Sequence, residues 1–299
     1  MSDFWSFWVI AIIVINLGGC AWLIWWTAKP MANEPSASET MGHSFDGIEE
    51  YNNPMPRWWL FLFWGTLVFA VIYFIAYPGF GKYPGVLGWT SHKQWANEVA
   101  TVEESTRPLF EKFAAVPVEE LVGNAEAMEI GKRLFLNNCA VCHGSQAKGA
   151  RGFPNLTDAD WLYGGTPDAI AQSITQGRNA MMPPWGAVLG DEGVNEVAHY
   201  IASLSRPQLA GERPALVAAG SEKYAANCAA CHGADGTGNM LFGAPNLTDN
   251  IWLYGGDIAT IKETIAYGRM GVMPKHESIL STEKIHVLTA YVYGLSKHQ

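Results

Sequence analysis

Charge is scarce in this chain of 299 residues: Asp, Glu, Lys and Arg make up 16%, against 49% hydrophobic residues. That shortage excludes an intrinsically disordered chain, and 13 tryptophans point to burial in protein or lipid. Basic residues are scarcer still. With 19 Lys and Arg against 28 Asp and Glu, the net charge of -9 leaves no footprint to neutralise phosphates, which excludes a nucleic-acid partner. Cysteine is rare as well: there are five, four of them in two identical spacings, so a dense disulfide framework is excluded. Residues 4–26 contain no charge in 23 positions. As a helix they span roughly 34 Å, enough for the ~30 Å hydrocarbon core of a bilayer. Residues 58–77 form a second such run of 20. Trp5, Trp8, Trp25, Trp26, Trp58, Trp59, Tyr73 and Tyr77 sit at the ends of these runs, as interfacial aromatic belts do. The first three residues carry no positive charge, which disfavours a cleaved signal peptide. Asn16 and Cys20, alone in the first run, make no site and suit helix contacts.

The pattern predicts transmembrane helices over residues 1–27 and 58–78, joined by a loop at 28–57 that is polar and carries Pro30, Pro35, Pro54 and Pro56. A Gly/Pro stretch at 78–85 stops the second helix and opens a connector, residues 79–122, expected to be helical in part around 103–113 and without assigned chemistry. The rest of the chain is an internal repeat. Cys139-Ala140-Val141-Cys142-His143 returns 89 residues on as Cys228-Ala229-Ala230-Cys231-His232. Pro154-Asn155-Leu156-Thr157-Asp158, Trp161-Leu162-Tyr163-Gly164-Gly165, Gly177-Arg178 and Met182-Pro183 all return 91 residues on, so the second copy gained two residues in a loop. The units are residues 123–206 and 211–299, near the size at which a bound cofactor matters to stability.

Cys-x-x-Cys-His is the attachment pattern for haem c: two thiols one helical turn apart each bond a vinyl group, leaving the histidine beneath the iron. A redox Cys-x-x-Cys or half a zinc site are the alternatives. Two copies, each with an adjacent histidine and a Met-Pro downstream, disfavour both. Two covalently bound haem c groups are therefore expected, on Cys139, Cys142 and His143 and on Cys228, Cys231 and His232. The sixth iron ligand is expected to be methionine, as in cytochromes c. Alignment of the repeats favours Met182 over Met181 and Met273 over Met270. Which methionine serves which iron stays open, because adjacent domains can exchange their methionine loops.

Gly131 and Phe135 precede the first motif four residues apart, as Gly220 and Tyr224 precede the second, and terminal helices near 192–204 and 282–295 carry Tyr200 and Tyr291. Each repeat thus resembles a class I cytochrome c domain. That resemblance implies terminal helices crossing over an enclosed haem, and proline carbonyls, here of Pro154 and Pro245, that accept the histidine N–H. The chain as a whole is therefore expected to be mainly α, two transmembrane helices followed by two tandem domains resembling class I cytochrome c. Asp46-Gly47-Ile48-Glu49-Glu50-Tyr51-Asn52-Asn53-Pro54-Met55-Pro56-Arg57-Trp58-Trp59, ahead of a span and two haem motifs, resembles the dihaem subunit III of cbb3-type cytochrome c oxidases.

The resemblance implies electron transfer from a donor cytochrome c or quinol-oxidising complex towards the catalytic subunit of an oxidase. Oxygen reduction and proton pumping belong to that other subunit. Implied partners are the catalytic and monohaem subunits, the donor and the lipid bilayer. The implied location is the bacterial inner membrane, multi-pass, with periplasmic haem domains, hence a periplasmic N-terminus and a cytoplasmic loop at 28–57 flanked by Lys29 and Arg57. Two other readings compete: a free-standing membrane-anchored shuttle resembling cytochrome c4, and a dihaem peroxidase. The peroxidase needs an open iron position, against which the two Met-Pro signatures argue. His43, His92, His199, His276, His286 and His298 lack a second histidine at ligand spacing, although His276 is expected near a haem edge. Asp158 and Asp160 read as turn residues, and Arg178 and Arg269 as candidates for haem propionates.

Overall fold

The computed structural model describes residues 1–29 and 35–297; Pro30 and His298 lie outside the described residues. The chain divides into two units, residues 1–105 and residues 106 onward. In the first, α1 (Asp3–Thr27) and α2 (Arg57–Ala76) are the two apolar helices. Only Ser6 and Ile24 of α1 are buried, and no residue of α2 is. Apolar helices this exposed require lipid or partner helices around them. Near the start of α1 and beyond the end of α2, the Lys82 amide donates to Ser6 Oγ at 2.9 Å and the Lys82 ammonium pairs with Asp3.

The segment read as a loop contains a hairpin, β1 (Thr40–Phe45) and β2 (Ile48–Tyr51), antiparallel with Phe45 opposite Ile48. Asp46 and Gly47 turn it with φ of 53° and 84°, the positive values a two-residue hairpin turn demands. The Asp-Gly signal stood in the sequence, but strands exposed on both faces carry no alternation to accompany it. After the Gly/Pro stretch, α3 (Ser91–Ala114) runs longer than its expected 103–113 core, with Pro108 inside it.

In the second unit, α4 (Val118–Leu121) leads into the repeats. The first supplies α5 (Ala125–Asn138), α6 (Ala140–His143), α7 (Pro167–Gln176), β3 (Arg178–Met182) and α8 (Gly186–Ser205). A short α9 (Gln208–Glu212) joins it to α10 (Pro214–Asn227), α11 (Ala229–His232), α12 (Ile258–Tyr267), β4 (Arg269–Met273) and α13 (Thr282–Leu295). Local signals set the starts: side chains of Asn124, Thr166, Asp257 and Ser281 each accept from an amide three residues on. The two gained residues fall in the loop between Asn239 and Ala244, whose counterpart closes between Ala150 and Phe153.

The repeats exchange their ends. β3 pairs antiparallel with β4, Arg178 opposite Met273 and Met182 opposite Arg269. From there α8 packs on α10 and α12, while α13 packs on α5, α7 and α4. One core joins Phe135, Ile170 and Ile174 to Leu280, Ile285, Leu288 and Val292; the other joins Val194, Val197 and Ile201 to Tyr224, Leu247, Ile261 and Ile265. A third cluster sets Phe110, Phe113, Val118 and Leu121 against Val287 and Ala290. The class I likeness implies that each repeat closes on itself. Here residues 123–206 and 211–299 each give a first half to one core and a second half to the other, because the paired strands carry the chain across.

Candidate functional site

Each Cys-x-x-Cys-His motif sits on one tight turn at the end of a long helix. Cys139 caps α5, and its carbonyl accepts from the amides of Cys142 at 3.1 Å and His143 at 3.0 Å; Cys228 does the same for Cys231 and His232 at 3.1 and 3.0 Å. Both thiols and the imidazole of a motif therefore come from a single turn. Gly144 and Gly233 follow with φ of 76° and 81° and fold the chain back beneath the histidine. This return brings the Pro154 carbonyl to 3.1 Å from His143 Nδ1, and the Pro245 carbonyl to 3.3 Å from His232 Nδ1. An Nδ1–H donating to that carbonyl fixes the tautomer and reserves Nε2 for a metal. Burial also pushes both imidazoles below their ordinary pKa, favouring the neutral form a ligand needs.

The thiols behave otherwise than a redox pair would. Burial, with the neighbouring Cys142 or Cys231 adding to it, pushes Cys139 and Cys228 up to about 11, whereas reactive dithiols are depressed. Among the described residues no group of three or more His, Cys, Asp or Glu gathers around a point. The donor set fits haem c: an oriented imidazole, two thiols on its turn and an apolar surround.

On the β3–β4 ribbon Met182 and Met273 are half-buried against the two cores, while Met181 and Met270 are 74% and 73% exposed. Met273 packs against the core cluster that holds Phe135, Ile170 and Ile174, and Met182 against the one that holds Tyr224, Cys228, Ile261 and Ile265. The strand's period of two thus separates candidates that the sequence left adjacent.

Other expected residues have local duties. Arg178 lies over the Tyr163 ring at 4.5 Å and donates to Ser173 Oγ at 2.8 Å. Arg269 does likewise with Tyr254 at 4.5 Å and Thr264 at 3.0 Å, and pairs with Glu263 at 3.0 Å. Asp158 closes a turn by accepting the Asp160 amide at 3.1 Å. His276 is 7% exposed and near enough to His143 to help lower its pKa, with burial the larger cause. His199 Nδ1 reaches the Asn195 carbonyl at 2.7 Å and His286 Nε2 donates to the Val116 carbonyl at 2.8 Å, while His43 and His92 stand beside Phe45 and Trp95. Sequence reasoning missed the role of Gly177 and Gly268. An added Cβ there would lie 2.2 Å from the Met273 carbonyl oxygen and 2.3 Å from that of Met182, so each glycine admits the methionine strand of the other repeat. The Gly-Arg pair preceding each methionine was its visible signal.

Comparison with known proteins finds matches along most of the chain. Residues 37–84 match the N-terminal domain of cytochrome oxidase-cbb3, FixP, and residues 126–201 and 215–292 match cytochrome c oxidase, cbb3-type, subunit III. The chain is 46% identical to the cbb3-type cytochrome c oxidase subunit CcoP of Rubrivivax gelatinosus, over 99% of this chain and 98% of that one. It is 44% identical to the subunit FixP of Azorhizobium caulinodans, over 87% and 94% of the two chains. With CcoP of Cereibacter sphaeroides the identity is 38%, over 90% and 98%.

Proposed function

The chain belongs to the CcoP/FixP family of cbb3-type cytochrome c oxidase subunits, dihaem cytochromes c that transfer electrons, and from that premise we propose how its residues serve the task. Cys139 and Cys142 would anchor one haem and Cys228 and Cys231 the other; His143 and His232 would hold the irons through Nε2, with Met182 and Met273 as the remaining protein ligands. The observation that carries this is the pair of motif turns whose imidazoles are each oriented by a proline carbonyl. Bound haem c supplies a one-electron iron couple. With haem c bound, a histidine and a thioether on each iron would leave no position for oxygen, and the thioether would favour the ferrous state. Electrons enter from a donor cytochrome c or a quinol-oxidising complex and leave towards the oxygen-reducing subunit.

The reduced wild-type chain is expected to refuse carbon monoxide at both haems. Met182→Ala or Met273→Ala opens one haem to it and lowers that potential by roughly 0.1 V or more, within the ~0.8 V that axial ligation commands. Optical carbon monoxide titration and a redox titration read both effects. Carbon monoxide binding by the wild type would instead support the dihaem peroxidase.

For membrane placement we propose that residues 1–3 and all residues after 77 face the periplasm of a bacterial inner membrane, with the β1–β2 hairpin in the cytoplasm. The Asp3–Lys82 pair, which ties the start of α1 to the chain beyond α2, supports two antiparallel spans. A phosphatase reporter fused at Ser38 should be inactive, since it matures only in the periplasm; an active fusion reverses the topology.

A further inference from the structure

We propose that Glu263 lowers the reduction potential of the second haem by cancelling the charge of Arg269, while Gln172 leaves the matching Arg178 uncancelled beside the first. The inference rests on the proposed haem attachment and adds to it a residue that sets two otherwise matched sites apart. Its effect is to favour electron transfer from the second haem to the first.

The two arginines sit in copied frameworks. Arg178 and Arg269 are 91 residues apart, as are Tyr163 and Tyr254, and Ser173 and Thr264. Each guanidinium lies over its tyrosine ring at 4.5 Å, and each Nε donates to its hydroxyl, at 2.8 Å in the first repeat and 3.0 Å in the second. The third contact differs. Arg178 Nη2 donates to the amide oxygen of Gln172 at 3.3 Å, whereas Arg269 Nη1 donates to the carboxylate of Glu263 at 3.0 Å. Gln172 and Glu263 are themselves 91 residues apart, so one position is neutral in the first copy and anionic in the second. The arginine and its partner together carry a positive charge in the first repeat and none in the second.

Each framework belongs to the surround of its own attachment turn. Helix α7, which carries Gln172 and Ser173, buries Ile170 and Ile174 in the core packed against Cys139; α12, which carries Glu263 and Thr264, buries Ile261 and Ile265 in the core that holds Cys228. The Arg269 side chain is 20% exposed, and its Nη2 is buried with no hydrogen-bond partner among the described residues. A buried donor needs an acceptor, and the carboxylates of a bound haem are acceptors that the chain itself does not provide. Reduction adds an electron to the haem, so a nearby positive charge favours the ferrous state and its cancellation disfavours it. Two other charges differ between the copies near this point. Arg151 stands 3.7 Å from Glu263, but that side chain is 63% exposed and the pairing is weak. Lys262, aligned with Ala171, forms no ion pair with Arg269 or Glu263 among the described residues.

The test is an optical redox titration of the full-length membrane-bound chain with one haem tagged. Cys228→Ala leaves one vinyl group of the second haem conjugated and moves its absorption band to the red. In that background Glu263→Gln is expected to raise the ferrous-to-ferric ratio of the red-shifted haem, at a fixed applied potential, by roughly three- to tenfold, and to leave the other haem unchanged. Gln172→Glu should lower the ratio of the unshifted haem by a similar factor. Glu263→Lys should exceed Glu263→Gln, because the effect follows charge and not shape, and each shift should shrink as salt is added. A second haem that stays in place or falls with Glu263→Gln overturns the proposal. Should the tagged chain fail to take up its haem, the same substitutions in the untagged chain decide: Glu263→Gln should raise one of the two potentials and Gln172→Glu should lower the other. Both acting on one haem, or neither acting, overturns the proposal while the haem reading stands. A wild-type chain without covalent haem removes that reading and the proposal with it.

Discussion

Gly220→Leu is expected to destabilise the haem-bearing unit by roughly 3 kcal/mol, at the upper end of what overpacking costs. A Cβ at this position would stand 2.1 Å from the Glu196 carbonyl oxygen and 2.6 Å from its carbon, both backbone atoms of the crossing helix α8. No side chain can rotate to relieve that overlap. The helices have to separate, and separation opens the core that holds Tyr224, Val197 and Ile201. It also breaks the tilted ring contact of Tyr200 with Tyr224, whose centroids lie 5.1 Å apart. Thermal unfolding of the holoprotein should shift down by on the order of 10 °C for a unit of this size. Gly211→Leu is the control, since an added Cβ there meets nothing within 4 Å, and it should change stability by no more than ~0.5 kcal/mol. Equal unfolding temperatures for the two variants would contradict the observed crossing.

Replacing residues 58–77 with a polyleucine span should release a dihaem cytochrome that remains membrane-bound and redox-active but no longer co-purifies with the oxidase. One span already anchors a protein, so a second apolar helix exceeds what anchoring needs. Every side chain of α2 escapes burial within the described chain, and Gly65 meets nothing within 4 Å. In lipid the hydrophobic effect does not drive helices together, so association depends on shape and on interhelical hydrogen bonds, both of which polyleucine removes. Gly18 and Gly19 of α1 also face open space, and Asn16 lies two residues before them. Deleting residues 1–30 should therefore weaken the complex without dispersing it. Co-purification and donor-driven oxygen consumption read both changes. Unchanged assembly with the polyleucine span would favour a free-standing shuttle.

Much of this molecule is legible residue by residue, because its strongest signals are local. A run of 23 uncharged residues, a Cys-x-x-Cys-His turn and a repeat offset of 89 or 91 depend only on neighbouring positions. Haem chemistry needs two thiols and an imidazole within one turn, so its signature is necessarily contiguous. Aligning the copies singles out Met182 and Met273 over Met181 and Met270, and the alternation along β3 and β4 turns the same two towards the cores. Less legible was the hairpin at Asp46-Gly47, where exposure on both faces erased the alternation. The arginines expected to meet propionates lie against Tyr163, Ser173, Tyr254 and Thr264, partners drawn from the preceding helix and loop.

By itself, the sequence picked out two candidate spans, two Cys-x-x-Cys-His turns and the residues proposed to bind iron. Only the tertiary structure decided which half of each repeat meets which. Two near-copies offer the same hydrophobic periodicity to either partner, so local pattern cannot separate closing inward from closing across. The difference lies in Glu196 against Val287 and Lys223 against Leu134, and such differences acquire meaning only once the helices are seen in contact, where an ion pair is matched on one crossing and an apolar cluster on the other.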